Sequence, residues 1–211
     1  MKKHGLVCGL CVLLLVTFVC AGMAEELAAN EFLGENPNGA GGTIRVKVTM
    51  DGETIKDIKT VEQHETRGLG TTAIMQLTKD ILATNNVEVD SITGATLTTT
   101  AFKAAVRQAV ETALGFDPSK DVQLGENEYL GISENALGGR LMVKVTLKDG
   151  AIAAIEVLES HESAEIGDVA LTQLIEKMIA QNATEVDSVT GATITSNALA
   201  EAVAMALESA K

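Results

Sequence analysis

Glu88-Val89-Asp90-Ser91-Ile92-Thr93-Gly94-Ala95-Thr96-Leu97-Thr98 returns 97 residues later as Glu185-Val186-Asp187-Ser188-Val189-Thr190-Gly191-Ala192-Thr193-Ile194-Thr195, with only Ile92/Val189 and Leu97/Ile194 exchanged. Outward from that phrase, the same shift lays Asn30 to Leu114 on Asn127 to Lys211 without a gap, and 37 of the 85 pairs are identical. Both copies open alike, with Asn30-Glu31-Phe32-Leu33-Gly34 and Asn127-Glu128-Tyr129-Leu130-Gly131, and both then carry a glycine pair, Gly41-Gly42 and Gly138-Gly139. Units of this length are small domains, so the chain reads as a tandem duplication and not as a solenoid. The expected domains are 30–114 and 127–211. The linker 115–126 contains the polar, helix-breaking Asp117-Pro118-Ser119-Lys120-Asp121.

Within each copy the pattern reads strand, strand, helix, loop, helix. Ile44, Val46, Val48 and Met50 alternate with polar residues as a half-buried strand does, and Leu141, Val143, Val145 and Leu147 repeat this. Asp51-Gly52 and Asp149-Gly150 are turn signals. Ile55, Ile58 and Val61 carry the return strand, their spacing calling for a bulge, and Ile152, Ile155 and Val157 match them. Ile74, Leu77 and Ile81, then Leu171, Leu174 and Met178, mark a helix. Phe102, Val106 and Val110, then Leu199, Val203 and Leu207, mark the last one. The fold class is therefore α+β: two tandem small domains, each an antiparallel sheet with flanking helices.

Composition narrows the function. Of 211 residues, 29 are acidic against 16 basic, a net charge of -13, and a surface of that sign repels a phosphate backbone. Aromatic residues are 2% with no Trp, so base-stacking platforms are missing too, and nucleic acid is excluded as a partner. Lys2 and Lys3, the apolar run Leu6 to Val19, and Ala21-Gly22-Met23-Ala24 read as an export signal over 1–24. The run is short for a membrane span, which needs roughly 20 residues, although retention as an N-terminal anchor is the alternative. Cys8, Cys11 and Cys20 all fall in this segment, and Val19 is too large for the usual lipidation signal at Cys20. Cleavage after Ala24 would leave a chain without cysteine, hence without disulfide or iron–sulfur ligands, in the periplasm or cell envelope. Gly39-Ala40-Gly41-Gly42 precedes a strand and not a helix, so it is no dinucleotide fingerprint.

Duplicated units drift apart, so the phrase retained in both copies points to the chemistry. It lies between an extended segment and the start of the final helix. Small residues at Gly94 and Ala95, and at Gly191 and Ala192, let a ligand approach the backbone. The helix start behind them presents free N–H groups and a positive dipole end to an anion. The structural alternative is that Thr93 and Thr190 cap the helices and the glycines only make the turn. That accounts for a Thr-Gly pair, but not for Asp, Ser, Thr, Gly, Ala and Thr all being kept.

Asp90-Ser91-Ile92-Thr93-Gly94-Ala95-Thr96 and Asp187-Ser188-Val189-Thr190-Gly191-Ala192-Thr193 resemble the Asp-x-x-Ser/Thr-Gly-Ala-Ser/Thr flavinylation motif of the FMN-binding domain family. That family includes the covalent-FMN subunits of the sodium-pumping NADH:quinone oxidoreductase and of the Rnf complex. The resemblance implies that an extracytoplasmic flavin transferase moves FMN from FAD onto the hydroxyls of Thr96 and Thr193 as phosphodiesters. It gives Asp90 and Asp187 a part in transferase recognition or catalysis. His64-Glu65-Thr66-Arg67-Gly68-Leu69-Gly70 resembles the family's loop beside the isoalloxazine, loosely at its start, which adds Glu65, Thr66 and Leu69 to the site. The second copy reads His161-Glu162-Ser163-Ala164-Glu165-Ile166-Gly167, keeping Glu162 and placing Ser163 for Thr66. Glu165 in place of Gly68 would disfavour negative charge on a nearby reduced flavin, so the two flavins are expected to differ in potential or exposure.

His64 and His161 each sit beside one glutamate with no further His or Cys, too few ligands for a catalytic zinc, and a loop-ordering hydrogen bond is the expected role. The implied function is an exported electron carrier with two covalent FMN groups and no dehydrogenase or reductase module of its own. It would relay electrons from a membrane donor to an unidentified extracytoplasmic acceptor, its acidic surface favouring cationic partners. The alternatives are a non-redox envelope module that has lost the flavin, or a subunit of an extracytoplasmic reductase.

Overall fold

The computed structural model describes residues 27–120, 122–163 and 166–211, so the expected export signal and Glu165 lie outside the described residues. The alternating segment forms β2 (Gly42–Asp51), with Ile44, Val46 and Val48 fully buried and Met50 nearly so. It is the middle strand of a three-stranded antiparallel sheet, between β1 (Glu31–Gly39) and β3 (Thr54–Glu62). The second copy repeats this order with β4 (Glu128–Ala136), β5 (Gly139–Lys148) and β6 (Ala151–Ser160). Each sheet is followed by its two helices, α1 (Gly70–Thr84) and α2 (Thr96–Leu114), then α3 (Gly167–Gln181) and α4 (Thr193–Ser209). The architecture is α+β in two tandem domains.

β1 and β4 are strands that the sequence reading left out. Gly34, Asn36, Pro37 and Gly39 are poor strand formers. Tertiary packing overrides that preference, because α2 lies across β1 and β2. At the crossing a Cβ on Gly34 would sit 1.9 Å from the carbonyl oxygen of Ala105, and one on Gly131 would sit 1.8 Å from that of Ala202. Only glycine lets strand and helix backbones approach so closely.

The return strands carry the expected bulge, and a second one. Thr49 pairs with Asp57 but Met50 with Ile55, so Lys56 is the extra residue and Ile55 and Ile58 both face the core. A second slip between Arg45–Glu62 and Val46–Thr60 leaves Val61 out of register and 39% exposed. The hairpin of the first copy is centred on Gly52-Glu53 and not on Asp51-Gly52, since Asp51 pairs with Thr54. In the second copy Asp149-Gly150 makes the turn, both residues at positive φ.

The helices bury the predicted faces. Ile74, Leu77 and Ile81 of α1 join Phe102 and Val106 of α2 in one core. Leu171, Leu174 and Met178 join Leu199 and Val203 in the other. The domains meet along their first hairpins and α2. Asn36, 1% exposed, donates its Nδ2 to the carbonyls of Ala136 and Leu137 at 3.4 and 3.3 Å. Arg140, at the start of β5, pairs with Glu111 of α2 at 2.5 Å and with Glu134 and Glu159 of its own domain.

Candidate functional site

The retained phrase runs through a loop into the first turn of α2 and, in the second domain, of α4. Gly94 and Gly191 stand at φ +81° and +83°, a backbone that turns the chain into the helix and that L side chains resist. Ala95 and Ala192 are the N-cap residues and give no side-chain cap, so Thr93 and Thr190 do not cap the helices. The first-turn N–H groups are thus left open beside Thr96 and Thr193, each exposed at the first helical position. Further into each helix a hydroxyl fastens the loop: Ile92 N–H donates to Thr99 Oγ1, and Val189 N–H to Ser196 Oγ, both at 3.3 Å.

The opposite wall is the loop after the return strand, and its anchor is a carboxylate. Glu65, 6% exposed, accepts from Thr98 Oγ1 at 2.5 Å and from Gly41 N–H at 3.1 Å. Glu162 makes the same bonds to Thr195 Oγ1 at 2.6 Å and Gly138 N–H at 3.2 Å. One side chain therefore ties the loop to the first turn of the last helix and to the first hairpin. Thr98, Thr195, Gly41 and Gly138 hold the site together although sequence reasoning gave them no role in it; their signal was retention in both copies. The neighbouring histidines contribute less. His64 is largely exposed, 3.8 Å from Glu62, and His161 Nε2 lies 3.2 Å from Glu159 Oε1. That contact, with Arg140 behind it, outweighs burial and holds the Glu159 carboxyl below its ordinary range. Among the described residues no group of three or more His, Cys, Asp or Glu side chains is placed to hold a metal ion.

In the first domain the two walls enclose a pocket of about 250 Å³ lined by Glu65, Thr66, Leu69, Gly94, Ala95 and Thr96 of the predicted residues, with Ala40, Gly70, Leu97 and Thr98. All ten have their counterparts, 97 residues on, in the lining of a larger cleft of about 1010 Å³, among them Glu162, Ser163, Gly191, Ala192 and Thr193. That cleft also takes in Ser91, and Thr96 and Leu97 line it as well as their own pocket. Asp90, Thr93, Asp187, Ser188 and Thr190 line neither; they are exposed on the loop surface.

A flavin mononucleotide has a phosphate at one end and a flat, largely apolar ring at the other, and the residues present fit both. An uncapped helix start with a threonine hydroxyl suits the phosphate. Leu69, Leu97 and Ile166, left 49%, 46% and 55% exposed at the walls, offer apolar surface to a ring.

Comparison with known proteins agrees with this geometry. A model of the FMN-binding domain matches residues 39–111 and 137–208. A urocanate reductase of Eggerthella lenta is 37% identical over 93 residues, a match that covers 44% of this chain and 15% of the relative.

Proposed function

The chain belongs to the FMN-binding domain family, and from that premise we propose that it is an exported electron-transfer flavoprotein carrying two FMN groups as phosphodiesters on Thr96 and Thr193. Bound FMN supplies the chemistry, taking up and releasing one or two electrons. The chain's own residues position it. The first turns of α2 and α4 receive the phosphate charge, Glu65 and Glu162 hold the facing loop closed against the helix, and the exposed leucines and isoleucine keep water from the ring. The observation that carries this reading is the twofold recurrence of one arrangement: an exposed threonine opening an uncapped helix, in a pocket whose lining repeats at a shift of 97 residues. An extracytoplasmic flavin transferase would install the groups, with Asp90 and Asp187 accessible to it on the loop surface. Electrons would come from a membrane oxidoreductase and leave to an extracytoplasmic acceptor, with a net charge of -13 favouring cationic partners.

The test is the intact mass and visible spectrum of the protein from its native envelope, before and after denaturation. The expected result is a gain of two FMN groups, each less one water, that survives denaturation. Thr96→Ala and Thr193→Ala should each remove one. A colourless, unmodified chain, even beside a co-produced transferase, overturns the proposal and leaves a binding module. The match to a reductase favours a second reading, a subunit that delivers electrons directly to a small substrate. Steady turnover of one added acceptor in preference to others, with a chemical reductant as donor, would select that reading over the relay.

A further inference from the structure

The cleft at Thr193 is the first domain's pocket with a wall added from the other domain. Beyond the residues that repeat, the first domain lines it with Glu88 and with a stripe of α2 that runs from Thr96 through Thr100 to Lys103 and Arg107. Lys103 and Arg107 lie one turn apart on α2, and their counterparts at the shift of 97 are Ala200 and Ala204. The first domain's own pocket has no cation in its lining. Arg107 also donates to the carbonyl of Gly138 at 3.1 Å, so it bridges to the turn that Glu162 anchors. Both side chains are held: Glu88 pairs with Arg107 and, at 3.0 Å, with Lys103, and Lys103 donates to the carbonyl of Val89. They are 14% and 15% exposed, so solvent screens them less than surface charges. Glu162 lines this cleft as Glu65 lines the first pocket, and to that shared carboxylate the added wall of two cations and Glu88 contributes one net positive charge.

We propose that the site at Thr193 is composite, and that Lys103 and Arg107 of the first domain face the ring of the FMN carried there and stabilise the negative charge that reduction places on it. This rests on the FMN reading above. With the phosphate on Thr193 at the start of α4, the ribityl chain and ring are the parts that can extend along the shared cleft towards the cations. The phosphate carries the same charge in both redox states. A wall that served only the phosphate would leave the potential unmoved, whereas one that serves the ring raises it. The duplicated domains thereby become unequal, because the first domain lends the second flavin a positive charge that its own pocket lacks.

The experiment uses the full chain with FMN on Thr193 alone, as its Thr96→Ala form, titrated with dithionite as the reductant. Reduction takes up two electrons and one proton and leaves the ring anionic. Lys103→Gln and Arg107→Gln should each lower the midpoint potential by about 30 mV, a tenfold loss of preference for the reduced form at two electrons. Arg107→Lys should retain most of the wild-type value. Glu88→Gln, which frees both cations, should shift the potential upward. Opposite shifts from contacting residues are not the signature of a misfolded protein. In the Thr193→Ala form, with FMN on Thr96 alone, the two cation substitutions should move the potential by less than a third as much. A potential at Thr193 unmoved by both substitutions, or an equal shift at both sites, overturns the inference alone. Absence of FMN on Thr193 in the denatured mass overturns the FMN reading and the inference with it.

Discussion

Glu65 shows how a single carboxylate can hold the walls of a site together. Its oxygens are satisfied by Thr98 Oγ1 and Gly41 N–H, on elements 33 and 24 residues away in sequence. Glu65→Ala strands both donors next to a buried hole and should cost about 2–3 kcal/mol in urea unfolding, while Glu162→Ala, at a less enclosed position, should cost less. Equal stability of wild type and Glu65→Ala would show that the loop is held by other contacts. The adjacent His-Glu pair is legible in the sequence, and the histidine's expected hydrogen bond is present at His161, to Glu159, but the glutamate makes the longer-range ties. Spacing along the chain cannot show which of two neighbours turns inward. Glu88 offers a pH signature at the same scale. Burial pushes its carboxyl up, but the bonds and charges of Arg107 and Lys103 outweigh this and hold it at about 2. A folded-state value below the unfolded one means that the stabilisation is present above pH ~4.5 and lost as pH falls towards 2. With the side chain 53% exposed, solvent keeps the effect below about 1 kcal/mol. The stability difference between wild type and Glu88→Gln should shrink across that window; a difference that stays constant would mean that the carboxylate charge is not what matters.

Among the elements, β2, β5 and all four helices were legible because their apolar residues follow the period of the structure they form. β1 and β4 were not, since a strand built from Gly34, Asn36 and Pro37 has almost no alternation to read. What specifies it is the helix lying on it, a contact between residues some 70 positions apart whose only trace in the sequence is a glycine kept in both copies. Gly34→Ala and Gly131→Ala test that dependence. Each adds one methyl group, but it meets backbone oxygen at 1.9 and 1.8 Å, where no side chain can swing aside. The expected cost is about 3 kcal/mol, the upper end for overpacking, read from urea midpoints. A cost within 0.5 kcal/mol, about that of an ordinary surface change, would mean that strand and helix can part freely. Because α2 begins at Thr96, a shift of that helix should also displace the proposed attachment hydroxyl. The same variant should therefore carry less FMN on Thr96 than on Thr193.

At the scale of the whole molecule, the identities between copies reveal the domain and its site, and the differences reveal how the domains join. Lys103, Arg107 and Arg140 face Ala200, Ala204 and Thr43 across the repeat, and all three stand between the domains. A search for what is retained passes over them, which is why the composite cleft was not legible beforehand although its residues were. Arg140 is the least exposed of the three, at 10%, held by Glu111 of the first domain and by Glu134 and Glu159 of the second, with its guanidinium 5.9 Å from the centroid of the Phe116 ring in the linker. Burial alone would lower its pKa, but the three carboxylates keep it above the ordinary arginine value and therefore charged at every accessible pH. Arg140→Met keeps much of the apolar volume and removes the cation, leaving Glu111 and Glu159, each about one-fifth exposed, to repel each other across the interface. Breaking such a pair costs about 3 kcal/mol where it is buried. That cost falls on the docking of the domains and not on either core, since neither hydrophobic cluster includes position 140. The variant should thus unfold in two separated steps where the wild type unfolds in one, with a larger radius of gyration in solution scattering. If the cleft is the second flavin's shelter, iodide should also quench the Thr193 flavin more readily in the variant. Unchanged scattering and a single transition would place the docking instead on Asn36 and Asn38, whose side chains donate to the carbonyls of Asn135, Ala136 and Leu137.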